Sequence, residues 1–241
     1  MSLAVHASVA QIGALNEEAS GSLEILWALP GLPFTEMFGS YDASFPTVDQ
    51  ELLIDDSTGH VQLRKFVDPE FLYRPTNYAL RTLSTPKVEA ELNLLSNFID
   101  RNLGQHGNGL TGLDILEFGA NNLELALRLS PRSTNFFAVD PILAGQVDEA
   151  PPSAITVYPG MVEEFLSELS IPLDLIVARH TLEHIAEPLV LMRALRGKLK
   201  TGGIIVIEVP DLDAIVTKLR FDAVFHQHYQ YYDVGSLETL A

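Results

Sequence analysis

Residues 86–241 predict a doubly wound α/β domain, a mostly parallel sheet covered by helices, behind a small irregular region at residues 1–85. Three observations predict it. From Pro86 onward, short apolar segments alternate with helix-patterned ones. The strand segments are apolar throughout, as strands buried on both faces must be. Before Pro86 that alternation is missing: "WALPGLPFTEMFGSYDASFPTVDQ" is rich in Pro, Gly and aromatic residues, with short strand-like pieces such as "VQLRKFV".

The elements follow in order. "PKVEAELNLLSNFIDRNL" puts Val88, Leu92, Leu95, Phe98 and Ile99 at helical spacing, with Pro86 at the start, where its missing N–H is not needed. "LDILEF" is the first strand of the sheet, followed by the turn "GANN" and the helix-like "LELALRL". "NFFAVD" is the second strand and ends in Asp140. "AITVYP" is the third, leading into the helix "GMVEEFLSEL". "LDLIVAR" is the fourth, "PLVLMRALRGKLK" is a helix stopped by "TGG", and "GIIVIEVP" is the fifth strand. The chain then ends in a helix after Gly235.

Composition bounds the function. The chain has 241 residues, 47% of them hydrophobic, enough for one sizeable core with or without an appendage. A net charge of −17 with only 15 Lys and Arg disfavours nucleic-acid and anionic-membrane partners. There are no cysteines, which removes disulfides, thiolate metal sites and cysteine nucleophiles, and suits a cytoplasmic location. There is no run of 18 apolar residues, and the N-terminus lacks the basic region of a signal peptide.

In such a sheet, ligands bind beyond the carboxyl ends of the strands. That singles out Glu117 to Asn122, Asp140, Gly160 and Met161, Arg179 to His184, and Glu208 to Asp211. One of these stretches, "HTLEH" at residues 180–184, has the H-x-x-E-H spacing of a zinc hydrolase helix. It directly follows a strand and is soon followed by Pro188, so it has room for about one turn and lacks an evident third ligand. No metal is expected, and His184 reads as a local packing or capping residue. "LEFGANN" points elsewhere, to an acid at a strand end and a glycine where the backbone passes a ligand. Asp140, about 20 residues on, suits the ribose hydroxyls of a nucleoside. The loop is not G-x-G-x-x-G, so a pyrophosphate is disfavoured. Gly119 would equally serve any sharp turn, Asp140 before Pro141 would equally cap one, and Tyr229, Tyr231 and Tyr232 suit packing.

"DILEFGANN", "FFAVDP", "LDLIVARHTLEHIAEP" and "LRGKLKTGGIIVIEVPD" resemble the successive motifs of Rossmann-like class I S-adenosylmethionine-dependent methyltransferases. "FDAVFHQHYQYYDVGSLETL" is similar to the F-D-x-x-Y-H-E-H-x-x-Y-F-x-x-x-S-L segment of sugar C-methyltransferases acting on nucleotide-linked deoxysugars. "GHVQLRKFVDPEFLY" resembles the end of their N-terminal zinc-binding region. The resemblance implies S-adenosyl-L-methionine as cofactor and a small-molecule acceptor, possibly a nucleotide-linked sugar. It sets Glu117, Gly119 and Asn121 beside the methionine and ribose, Asp140 on the ribose, Pro141 and Met161 beside the adenine, and Arg179 and His180 near the methyl-donor end. His228 maps to the favoured general base, and an imidazole with pKa near 6.5 suits proton abstraction next to a ketone. His226, Tyr78 and Tyr73 are lesser candidates for sugar contacts. O- or N-methylation of another small molecule stays open.

Four departures from the family pattern stand out. Leu123 replaces a loop glycine; Phe225 and Gln227 replace the Tyr and Glu of Y-H-E-H; Asp55 and Thr58 stand where a C-x-x-C pair would be; and the sheet's last two strands and the C-terminal domain are absent. The domain at 86–241 is thus expected to be truncated at its C-terminal end, with an edge for a second copy or a partner to cover. These losses support an alternative of another class, a degenerate methyltransferase-like binding or assembly module without catalysis.

Overall fold

A computed structural model describes residues 12–14, 23–33, 47–67, 85–105, 111–144 and 154–241. They form two compact units. One is drawn from Leu80–Thr181 and Leu189–Glu208, the other from Met1–Ala79, Leu182–Pro188 and Val209–Ala241.

The first unit is built on five parallel strands: β6 (Leu113–Phe118), β7 (Ser133–Val139), β8 (Ile155–Tyr158), β9 (Leu173–Arg179) and β10 (Leu199–Glu208), in the order β10-β9-β6-β7-β8. The chain runs outward from β6 to β7 and β8, then crosses back to β9 on the other side of β6. The winding reverses there, so the tips of β6 and β9 border the crevice where doubly wound sheets hold ligands. Ile115, Phe136, Ala138, Leu175 and Val177 are almost solvent-free in the central strands, which is why those segments read as continuous apolar runs. The helix Pro86–Gln105 packs Leu92, Leu95, Ile99 and Leu103 into the same core. Phe98 does not join them: it is 48% exposed, one residue off the buried stripe.

The expected boundaries shift most before β10. The helix Pro188–Gly197 stops at Gly197 rather than at "TGG", and β10 begins at Leu199. Lys200 explains the early return to the sheet, since its Nζ lies 2.8 Å from Asp114 Oδ2 and 2.7 Å from Asp174 Oδ2. The glycines then absorb a register irregularity between Leu199 and Ile204.

The second unit holds more regular structure than its Pro and Gly content implies. β2 (Leu23–Pro33), β3 (Thr47–Asp55), β4 (Val61–Leu63) and β11 (Gln230–Tyr231) form an antiparallel sheet in the order β11-β4-β3-β2. β1 (Ile12–Ala14) pairs with β5 (Lys65–Val67). Residues from the C-terminal tail therefore complete the N-terminal sheet. Asp55 and Thr58, which stand where the resemblance implies a cysteine pair, close the β3–β4 hairpin. Asp55 Oδ1 accepts from Ser57 N at 2.8 Å and Ser57 Oγ at 2.6 Å, which holds its carboxyl below the usual range. No helix among the described residues is long and apolar enough to cross a membrane.

Candidate active site

The loop after β6 is shaped by backbone constraints. Gly119 has φ +73°, and a Cβ built on it would meet Thr181 Oγ1 at 1.8 Å, so both conformation and space demand glycine. Its N–H donates to Val139 O at 2.9 Å. Asp140 ties the same loop to the tip of β7: Oδ2 accepts from Asn121 N at 2.9 Å and Oδ1 from Ile142 N at 3.0 Å. A carboxylate offers about four acceptor positions, and two of them shape the loop. Pro141 opens the short 3-10 turn Pro141–Leu143. Met161 precedes the helix Val162–Glu168 and is half-buried.

Asn121 and Leu123 both sit in the left-handed region, at φ +42° and +64°. Asparagine tolerates this and leucine does not, at a cost of about 1–2 kcal/mol. Leu123 offsets it by packing against the core cluster, and the helix Glu124–Leu129 starts one residue after it.

Glu117 is 4% exposed, and its Oε2 has no hydrogen-bond partner among the described residues. Burial, then the charge of Asp140, pushes its carboxyl well above the usual range against the pull of Arg179. Arg179 is itself engaged: Nη2 lies 2.9 Å from Glu91 Oε2, and Nε lies 3.2 Å from Glu208 Oε1. His180 has φ +50° and places Nε2 3.3 Å from the same Glu208 oxygen. Burial opposes ionisation of Glu208, but His180 and Arg179 hold its carboxyl below the usual range.

The other unit assembles a histidine pair. "HTLEH" forms no helix: it bends after His180, and only Leu182–His184 make a 3-10 turn. His184 meets His228 edge-to-face at 5.0 Å between ring centroids. His184 Nδ1 lies 2.8 Å from Gln227 O, and His228 Nδ1 lies 3.0 Å from Ala223 O. A carbonyl only accepts, so both Nδ1 atoms carry the proton, and in each neutral ring Nε2 is the basic nitrogen. Phe225 packs over His228 at 4.0 Å. His226 is fully buried, its Nε2 donating to Leu32 O at 3.1 Å, and burial pushes its pKa down. Gln227 contributes its backbone carbonyl to His184. Gln230 secures the turn, with Nε2 donating to Ile185 O and Ala186 O at 3.2 Å each. Tyr73 and Tyr78 lie outside the described residues.

Sequence reasoning overlooked Thr181, whose clash with Gly119 depends on a fold contact, and passed over Glu183 and His184 as partners of His228. The separation of 44 positions between His184 and His228 leaves no local trace. The available signal was that both histidines belong to segments that carry the resemblance.

A family model described as a methyltransferase domain matches residues 87–241. The chain belongs to the methyltransferase-domain family. Its strand-tip motifs resemble those of the class I type, whose methyl donor is S-adenosylmethionine. It is 32% identical over 142 residues to the C-methyltransferase NovU of Streptomyces niveus, covering 55% of this chain and 32% of that protein. The chain thus spans about a third of that relative's length. Among solved structures, it is similar to the N-methyltransferase NodS from Bradyrhizobium japonicum WM9 (16% identity, 66% of this chain and 83% of that one, TM-score 0.48). It is also similar to a methyltransferase from Clostridium acetobutylicum (18% identity, 53% and 54%, TM-score 0.44). The strand tips fit the donor: a glycine turn without room for a Cβ, Asp140 at the end of β7, and the buried Glu117 oxygen without a partner among the described residues.

Two outcomes follow from this geometry. Gly119→Ala abolishes thermal stabilisation by S-adenosylhomocysteine, and Thr181→Gly in the same chain restores it only partly, because the left-handed φ remains. Glu117→Gln acts through stability. The folded pKa of Glu117 is raised, so the unfolded chain ionises first and stability falls as pH rises above about 4.3. Urea unfolding at about pH 7 should find Glu117→Gln more stable than the parent by on the order of 1 kcal/mol, the difference shrinking near pH 4.

Proposed function

We propose that the chain transfers a methyl group from S-adenosylmethionine to a carbon atom of a small-molecule acceptor, a nucleotide-linked sugar bearing a ketone, with His228 as general base. The observation that carries this reading is the His184–His228 pair, each ring with its Nδ1 proton held by a backbone carbonyl. The likeness to a C-methyltransferase supports the choice of carbon.

When bound, S-adenosylmethionine supplies an electrophilic methyl group on its sulfonium. Asp140 accepts from the ribose hydroxyls, Pro141 and Met161 flank the adenine, and Glu117 and the Gly119–Asn121 backbone hold the methionine end. Arg179 and His180, braced by Glu208, stiffen the tip of β9. His228 Nε2 removes a proton from the carbon beside the ketone, and the bond's electrons delocalise onto the ketone oxygen. Ala223 O stabilises the resulting imidazolium through Nδ1–H. Gln227 lacks the carboxylate of Y-H-E-H, so position 227 lends His228 no charge, and its Nδ1–H is held by the Ala223 carbonyl.

The test uses a nucleoside-diphosphate-linked keto-deoxysugar in D₂O with methyl-labelled S-adenosylmethionine. Deuterium should enter next to the ketone and the label should appear on that carbon. His228→Ala should lower both by about 10²–10⁴-fold while S-adenosylhomocysteine still binds. Undiminished exchange in His228→Ala would remove His228 from this role, and no transfer by the parent chain would favour a binding module.

A further inference from the structure

One ligand atom each of Glu183, His184 and His228 lies within 4.8 Å of the others, a set that the methyl-transfer reading uses only in part. We propose that these three side chains form a binding site for a divalent transition-metal ion of the Zn²⁺ or Co²⁺ class. The proposal shares His228 with the proposed function but does not depend on it.

Three features of the site point to such an ion. The donors are two imidazole nitrogens and one carboxylate oxygen, a set that suits Zn²⁺, Co²⁺ and Ni²⁺ rather than Mg²⁺ or Ca²⁺. Both imidazoles donate Nδ1–H to backbone carbonyls, the outer hydrogen bond that orients metal-binding histidines and presents Nε2. The two segments are also tied together, by Gln230 holding Ile185 and Ala186 and by His184 holding Gln227. Tetrahedral Zn²⁺ with bonds of about 2.0–2.1 Å spaces its ligand atoms about 3.4 Å apart. The three atoms, within 4.8 Å of one another, would draw in to that spacing when the ion binds. His184 is half-exposed, so the ion has an approach, and a fourth position is left for water.

The consequence is competition. A metal on His228 Nε2 occupies the lone pair that would take the substrate's proton, so the ion is an inhibitor of the base rather than its helper.

The test is calorimetric titration of the chelator-treated full chain with ZnCl₂, with the visible spectrum of added CoCl₂ reporting ligand geometry. One equivalent should bind, with a tetrahedral Co²⁺ band, while MgCl₂ and CaCl₂ give no heat. His184→Ala and Glu183→Gln should each weaken Zn²⁺ binding at least tenfold, about 1.4 kcal/mol, with S-adenosylhomocysteine binding and thermal unfolding confirming an intact fold. No bound equivalent, or one that survives both substitutions, overturns the proposal. The result is separable from the sugar reaction: loss of metal binding leaves deuterium exchange standing, and absent exchange leaves metal binding standing.

Discussion

The first unit's ligand face depends on one close approach. Gly119 lies where any Cβ would collide with Thr181, and the two residues sit at the tips of β6 and β9, on either side of the reversal in sheet winding. The absence of a side chain lets the β6 loop lie flat against the neighbouring tip. Asp140 then fixes the loop from the β7 side through two backbone amides. Three strand tips are thereby tied to one another.

Much of this was legible because it follows from period and place. Parallel strands buried on both faces write continuous apolar runs, and the residues after them are the ligand face wherever such a sheet occurs. The helix from Pro86 announced itself through Leu92, Leu95 and Ile99, though Phe98 shared their apparent spacing and is exposed. The antiparallel sheet was harder to see because β11, only two residues long, is separated from its partner β4 by more than half the chain. Nothing local in Gln230 or Tyr231 encodes that pairing.

The departures from the family pattern find physical substitutes. Leu123 accepts the left-handed backbone a glycine would take freely and recovers part of the cost through core packing. Asp55 closes its hairpin with an Asx turn. Gln227 lacks a carboxylate, yet its main-chain carbonyl still orients His184, a contact that any residue at that position can provide. The motif "HTLEH" shows the reverse: its letters match a zinc helix, but its backbone turns after His180, and the partner of His184 is His228.

The central claim is that the strand tips around Gly119 and Asp140 hold S-adenosylmethionine. Calorimetric titration with S-adenosylhomocysteine, on the parent chain and on Asp140→Asn, tests it most directly. The account predicts micromolar binding at one site, weakened by tenfold or more, about 1.4 kcal/mol, in the variant. No heat from the parent chain, or equal binding by both, would contradict it.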